Sequence, residues 1–366
     1  MLRKKNNKIF FFLPSFADGG AEENIISLAK KYKQQNEKVT FIVGNQTGIN
    51  KLKMDKKIKV IDLKKNKLYK CLFQILRIFK KRSPDTVITT LVHSNLFLCF
   101  IKFFYKHQFK LIIRETNITP FINLSLKKII KFKVLNFLKK ILYNCADYIL
   151  AINSQSKKEL IKLGIQRRKI KILNNPSIKN DFHKKIREKI VNKNIIKNRY
   201  ALYVGRLIAH KNVNFLIKVF YEVQKKIDLN LILIGQGNEI YTLKTLVKKL
   251  GIKKKVFFLG YKQNPLPYMR KADIHLSFSE YEGQPNSVIQ SLGCGTKTFI
   301  KSYPGLNKNI KNSKNIKIFD KLDKSLISNF VIKNLKLRGV KKSDNKIIKT
   351  FDESYYADQV KKMIYA

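Results

Sequence analysis

Residues 200–212 read YALYVGRLIAHKN. Five apolar residues run without interruption to Gly205, a loop with Arg206 and Lys211 follows, and an amphipathic stretch begins at 213. A run this short, bounded by a glycine, reads as a strand buried on both faces. Strand, glycine loop and helix in immediate succession are the repeating unit of a parallel sheet covered by helices.

The same unit recurs in both directions. Downstream, strands are expected at 230–234, 256–259, 274–278 and 298–300, with helices at 213–225, 240–250 and from 286 to about 292. Upstream, strands are expected at 9–13, 38–43, 58–63, 86–91, 110–113 and 148–152, separated by helices at 21–35, 66–82, 95–106 and 123–145. The pattern breaks at Asn174-Asn175-Pro176-Ser177, and a charged, weakly hydrophobic stretch follows as far as Arg199. An amphipathic segment at 354–365 closes the chain. Two α/β halves joined by a turn predict a ligand cleft at the carboxyl ends of both sheets.

The chain has 366 residues, enough for two domains, and is 44% hydrophobic, so it can bury a core despite its charge. Lys and Arg number 77 against 24 acids, a formal charge of +53. Such a balance suits an anionic partner: nucleic acid, an acidic membrane surface or a phosphorylated small molecule. Codon bias towards Lys, Asn and Ile explains it equally well. Cys71, Cys99, Cys145 and Cys294 are scattered without C-x-x-C spacing, which fits reduced thiols and a cytoplasmic setting. Residues 1–8 are basic and 9–16 apolar, as in a signal peptide, yet a proline interrupts the run and it ends in a glycine turn, so a buried first strand is expected. No stretch approaches 18 uninterrupted apolar residues, and no membrane span is expected.

Three loops carry the candidate chemistry. The first is Asp18-Gly19-Gly20-Ala21-Glu22, where two glycines precede a helix and would let backbone approach an anion. Ordinary turn geometry is the competing explanation. The second holds Gly205, Arg206 and Lys211: a planar fork and a point charge at a sheet rim suit a diphosphate. Arg is scarce here, which singles out Arg206 more than any Lys. The third is Ser279-Glu280-Tyr281-Glu282-Gly283-Gln284-Pro285-Asn286, between a strand and a helix. Its Glu282 can accept hydrogen bonds from sugar hydroxyls, and the amides around Gly283 to Asn286 can face an anion. Gln290, eight positions beyond Glu282, falls just over two helical turns along and could return to the same cleft.

Gly19-Gly20-Ala21-Glu22, Gly205-Arg206 with Lys211-Asn212, Leu233-Ile234-Gly235-Gln236-Gly237, Ala272-Asp273 and Glu282-Gly283-x-Pro285-Asn286 together resemble glycosyltransferase family 4. The resemblance spans nearly the whole chain and is densest from 200 to 305. It implies the GT-B fold: two Rossmann-like domains facing across a cleft, an acceptor domain at 1–175, a nucleotide-sugar domain at 176–350, and a helix at 351–366 packed back on the first. It implies retaining transfer of a hexosyl or N-acetylhexosaminyl group from a nucleotide-diphosphate sugar, UDP ahead of GDP, to a glycan or lipid-linked acceptor in bacterial surface polysaccharide synthesis. Arg206 and Lys211 would then neutralise the diphosphate and Glu282 would hold the sugar. Gly19, Gly20, Gly205, Gly283, Gln284, Pro285, Asn286 and Gln290 would contact the donor. No metal or other cofactor is implied.

Two departures stand out. Gln290 replaces the second acid of the family's paired-glutamate motif, and Thr116 occupies the position where many members place a histidine. His93, after the strand at 86–91, is the remaining histidine able to face the reacting sugar, although a lone histidine at a strand end is commonly structural. A non-catalytic nucleotide-sugar binder is the alternative reading.

Membrane contact is a further expectation, placing the protein in the cytoplasm with peripheral contact to the inner face of the cell membrane. Residues 67–82 put Leu68, Leu72, Ile75, Leu76 and Phe79 on one face and Lys70, Gln74, Arg77 and Lys81 on the other, with Phe73 off the stripe. Packing on the protein's own sheet accounts for that stripe better. In 121–145 the lysines fall on several faces, which argues against an interfacial helix. Nucleic acid is not expected as a partner, because no stacking module appears and lysines run from end to end.

Overall fold

The computed structural model describes residues 7–17, 19–105, 109–115, 126–190, 198–336 and 342–366. The chain forms two compact units, one of Met1–Asn175 with Tyr356–Ala366 and the other of Pro176–Tyr355.

The first unit contains β1 (Lys8–Leu13), α1 (Gly20–Gln34), β2 (Lys38–Val43), β3 (Lys59–Asp62), α2 (Leu72–Arg82), β4 (Thr86–Thr90) and α3 (Val92–Phe104). It continues with β5 (Lys110–Glu115), α4 (Leu126–Leu142), β6 (Tyr148–Ala151), α5 (Ser154–Lys162) and β7 (Ile170–Ile172). Its sheet is parallel, in the order β3-β2-β1-β4-β5-β6-β7. Strand alternation divides β1 between two cores: Phe10 and Phe12 meet α2 and α3, whereas Ile9, Phe11 and Leu13 meet α1. Each such apolar side chain, fully buried, contributes about 1.5–3 kcal/mol.

The second unit contains α6 (Phe182–Ile186), β8 (Tyr200–Val204), α7 (Val213–Gln224), β9 (Asn230–Ile234), α8 (Ile240–Lys249), β10 (Val256–Gly260) and α9 (Leu266–Lys271). After these come β11 (Ile274–Ser277), α10 (Asn286–Gly293), β12 (Lys297–Lys301), α11 (Lys308–Lys311), β13 (Ile316–Phe319), α12 (Lys324–Lys336) and α13 (Asn345–Thr350). The parallel order is β10-β9-β8-β11-β12-β13. Helices α7, α8 and α12 supply one core, and α6, α9, α10 and α13 the other. The final helix, α14 (Glu353–Tyr365), buries Tyr356, Ala357, Val360 and Ile364 in the α1 face of the first sheet. There Tyr32 donates a 2.8 Å hydrogen bond to the Ala357 carbonyl.

Several sequence expectations shift. Helix α3 starts at Val92, three residues before the expected 95, because Leu91 takes a left-handed φ of 75° and makes the strand-to-helix turn within one residue. The charged stretch before Arg199 includes α6, whose Phe182 is buried, as is Ile190. Strands β7 and β13 were not foreseen, since Ile170-Lys171-Ile172 and Ile316-Lys317-Ile318 alternate over too few residues to stand out. The stripe over 67–82 packs as a covering helix must: Ile75 and Phe79 are buried, while Leu68, Leu72 and Leu76 close over the same core. No helix among the described residues is long and apolar enough to cross a membrane.

Candidate active site

In the second sheet the strand order reverses between β8 and β11, and a doubly wound sheet binds ligands at the carboxyl ends of such a pair. A pocket of about 330 Å³ lies there, its floor formed by Tyr203, Val204, Gly205 and Ser277. Lys211, Ser279, Glu282 and the opening of α10 complete the wall.

Glycine spacing sets the position of the Lys211 loop. Gly235 has a φ of 142°, and a Cβ there would fall 1.8 Å from the Gly205 carbonyl oxygen; one on Gly237 would fall 2.0 Å from that of Leu207. The Leu207 amide therefore reaches the Gln236 carbonyl at 2.8 Å, and the Glu239 amide reaches that of Leu207 at 3.0 Å. These two glycines serve loop packing and do not line the pocket. Asp273 is likewise structural: it accepts from the Arg199 Nε at 2.9 Å and the Tyr200 amide at 3.0 Å, at the opposite end of β8.

Lys211 Nζ lies 2.5 Å from Glu282 Oε1, and the Ser279 hydroxyl donates to that same oxygen at 2.9 Å. Both members of the ion pair are largely buried. A second cluster centres on Ser177, which is 5% exposed. Its hydroxyl donates to Asn286 Oδ1 at 2.7 Å and accepts from Gln284 Nε2 at 2.7 Å. Its carbonyl accepts from Gln290 Nε2 at 3.1 Å. The N-terminus of α10, with Pro285, Asn286 and Ser287 on the pocket wall, directs its positive end at the space between the clusters.

His210 stacks on Tyr281, centroids 4.4 Å apart and planes 13° from parallel, and its carbonyl accepts from the Glu280 amide at 2.9 Å. The stack ties the Lys211 loop to the Glu282 loop. Partial burial, then the Lys211 charge, hold the His210 imidazole below its ordinary pKa, so it is neutral at physiological pH.

Of the residues singled out from sequence, Gly205, Lys211, Glu282, Gln284, Pro285, Asn286 and Gln290 meet in this pocket. Gly283 joins two lining residues without lining it. Arg206 is exposed and outside the lining, its carbonyl accepting from the Tyr203 hydroxyl at 2.8 Å. Gly19, Gly20 and His93 belong to the first unit. Gly19 caps α1 and exposed His93 stands in the first turn of α3, so both follow the strands that flank the reversal in that sheet. Thr116 and Asp18 lie outside the described residues. Ser177 was missed, because Asn175-Pro176-Ser177 reads only as a turn. The His210–Tyr281 stack was missed because nothing local pairs two residues from separate loops.

Residues 185–351 match the family model described as glycosyl transferases group 1. Over 296 residues, 78% of each chain, the sequence is 28% identical to the Campylobacter jejuni N-acetylgalactosamine-N,N'-diacetylbacillosaminyl-diphospho-undecaprenol 4-alpha-N-acetylgalactosaminyltransferase. The chain is a glycosyltransferase. Another Campylobacter jejuni relative, GalNAc-alpha-(1->4)-GalNAc-alpha-(1->3)-diNAcBac-PP-undecaprenol alpha-1,4-N-acetyl-D-galactosaminyltransferase, is 26% identical over 297 residues, covering 78% of this chain and 76% of its own. The crystal structure of Anabaena Alr3699/HepE in complex with UDP and glucose superposes with a TM-score of 0.77 over 98% of this chain and 100% of that one, at 17% identity. At that identity the match speaks for the fold, which is GT-B. The stretch that matches the family model lies in the unit that holds the pocket.

Proposed function

We infer that this glycosyltransferase moves an N-acetylhexosaminyl or hexosyl group from a UDP-sugar to a glycan carried on a polyprenyl diphosphate, with retention at the anomeric carbon, as in glycosyltransferase family 4. The observation that carries the reading is the Lys211–Glu282 pair beside the α10 N-terminus at the sheet reversal. Lys211 and the helix end offer positive charge to a diphosphate, and Glu282 offers a carboxylate to sugar hydroxyls. The two Campylobacter relatives, named for diphospho-undecaprenol substrates, favour the lipid-linked acceptor and the N-acetylhexosamine. The neighbour crystallised with UDP and glucose favours the uridine nucleotide.

In the proposed step the bond between C1 and the β-phosphate oxygen breaks as the acceptor oxygen bonds to C1 on the same face. The acceptor proton passes to the departing phosphate oxygen. Lys211 leaves Glu282 for the diphosphate as charge builds there, which frees the carboxylate for the sugar. Gln290, held by the Ser177 carbonyl, presents its amide oxygen where the family places a carboxylate. No metal ion takes part in this scheme, and turnover should persist in EDTA.

The test is release of UDP from a panel of UDP- and GDP-sugars, with and without a polyprenyl-diphosphate glycan. Wild type should turn over a UDP-N-acetylhexosamine, and Lys211→Ala and Glu282→Ala should each lose at least about a hundredfold in kcat/KM. Full activity in both variants would overturn the assignment.

A further inference from the structure

Tyr303 follows β12 at the carboxyl end of the second sheet, as the Glu282 loop follows the neighbouring β11. Its ring belongs to the core beneath α9 and α10, and the residue is 7% exposed. The hydroxyl at the tip of that ring is buried and meets no hydrogen-bond partner among the described residues. Tyr200 and Tyr203, buried in the same unit, do not share this: they donate to the carbonyls of Tyr268 at 2.7 Å and Arg206 at 2.8 Å. The charged group that acts on the Tyr303 hydroxyl is Glu282. Burial first, then that charge, hold its pKa well above the ordinary tyrosine value, so the hydroxyl keeps its proton and remains a donor. On the other side, Lys211 and Ser279 both bond Glu282 Oε1, which leaves Oε2 open among the described residues.

On the reading in which Glu282 holds the transferred sugar, we propose that Tyr303 is its positioning residue, donating to the carboxylate once Lys211 has moved to the donor diphosphate. In the free protein Lys211 and Ser279 fix that carboxylate, and the side chains of the ion pair are only 13% and 16% exposed. Departure of Lys211 leaves a carboxylate in a largely buried wall with the Ser279 hydroxyl alone. That arrangement is unfavourable unless a second donor takes the place of the ammonium. Tyr303 supplies one from the adjacent strand end, and it has no bond among the described residues to give up. A phenol donates a single hydrogen bond and brings no charge, so Glu282 stays anionic and keeps its other lone pairs for sugar hydroxyls. The unmet hydroxyl of the free protein is thereby explained as one half of a contact made only with donor bound.

The experiment is Tyr303→Phe in the full chain, which removes the hydroxyl and keeps the ring. The variant should melt no lower than wild type, because the lost group is unmet in the free protein. Its affinity for UDP, by titration calorimetry, should stay within about twofold of wild type. Its kcat with the UDP-N-acetylhexosamine that wild type turns over should fall about tenfold, and the affinity gained by that sugar over UDP alone should shrink. A purely structural hydroxyl gives the opposite pair, a lower melting temperature and an unchanged kcat. In a Glu282→Ala background Tyr303→Phe should take nothing further from the sugar-dependent affinity, as expected of a residue that acts through Glu282. Wild-type kcat in Tyr303→Phe, a lower melting temperature, or an undiminished effect beside Glu282→Ala each overturns the proposal. Full activity in Glu282→Ala overturns the site assignment beneath it as well, so the two failures read differently.

Discussion

Lys211 and Glu282 are 71 residues apart in the chain and 2.5 Å apart in the fold. The two loops meet because β8 and β11 are neighbours in the sheet, although β9 and β10 intervene in sequence. The pairing keeps a cation and a carboxylate, which the proposed function sets beside a nucleotide sugar, from standing unpaired in a largely buried wall.

That coupling predicts non-additive mutants. Lys211→Ala leaves Glu282 without its cation, and Glu282→Ala leaves Lys211 without its anion. Each single variant should lose about 1–3 kcal/mol of stability. The double variant should be no less stable than the worse single and no slower in kcat/KM by more than about a few-fold. Thermal unfolding and UDP-release kinetics on the four proteins measure both.

Ser177 organises the opposite wall. Ser177→Ala removes a hydroxyl that bridges Gln284 and Asn286 but spares the carbonyl that holds Gln290. Donor KM should rise about tenfold while kcat changes little, because the loss is of positioning rather than of charge. Equal KM in initial-rate kinetics would show that the bridge is dispensable.

The stack of His210 on Tyr281 makes a distinction between shape and proton transfer. With its pKa below the ordinary value, His210 is neutral at physiological pH. His210→Phe should retain most activity and His210→Ala should lose about tenfold, because only the ring surface is used. A kcat/KM profile of wild type should show no limb that disappears in the Phe variant.

His275 controls acid stability. It is fully buried on β11, neither ring nitrogen has a hydrogen-bond partner among the described residues, and burial pushes its pKa down to about 3. The unfolded chain binds a proton near pH 6.5 that the folded chain refuses. This group's contribution is therefore whole above pH 6.5 and declines as pH falls towards 3. Between pH 7.5 and 5 the loss should be about 2 kcal/mol. His275→Leu should remove that part of the slope, as read by urea unfolding at the two pH values.

Arg114, 1% exposed at the end of β5, donates to Asn175 Oδ1 and lies 5.9 Å over the Tyr356 ring. It holds the last residue of the first stretch of its unit and the first residue of the returning stretch. Arg114→Leu should destabilise the chain by about 2–4 kcal/mol and expose α14 to proteolysis before the rest of the chain unfolds.

Much of this architecture was legible in local pattern. The runs at 38–43, 200–204 and 230–234 match β2, β8 and β9 because a strand buried on both faces needs no partner to declare itself. Glu282, Lys211 and Gln290 were legible because their residue types sit beside glycine and proline at helix starts. Leu91 was not, since nothing in a leucine announces a left-handed turn. Ser177 was not, because its importance lies in partners more than a hundred residues away.

Sequence alone determined the two parallel sheets and the loops that carry the candidate chemistry, since apolar runs, glycine turns and helix starts act over a few residues. Tertiary structure alone decided that Lys211 pairs with Glu282, that Gly235 and Gly237 pack loops and do not line the pocket, and that Arg206 lies outside its wall. It alone brought the Tyr303 hydroxyl within reach of the Glu282 charge. Which groups meet behind a pocket wall depends on what folds against them, and that is a property of the whole chain.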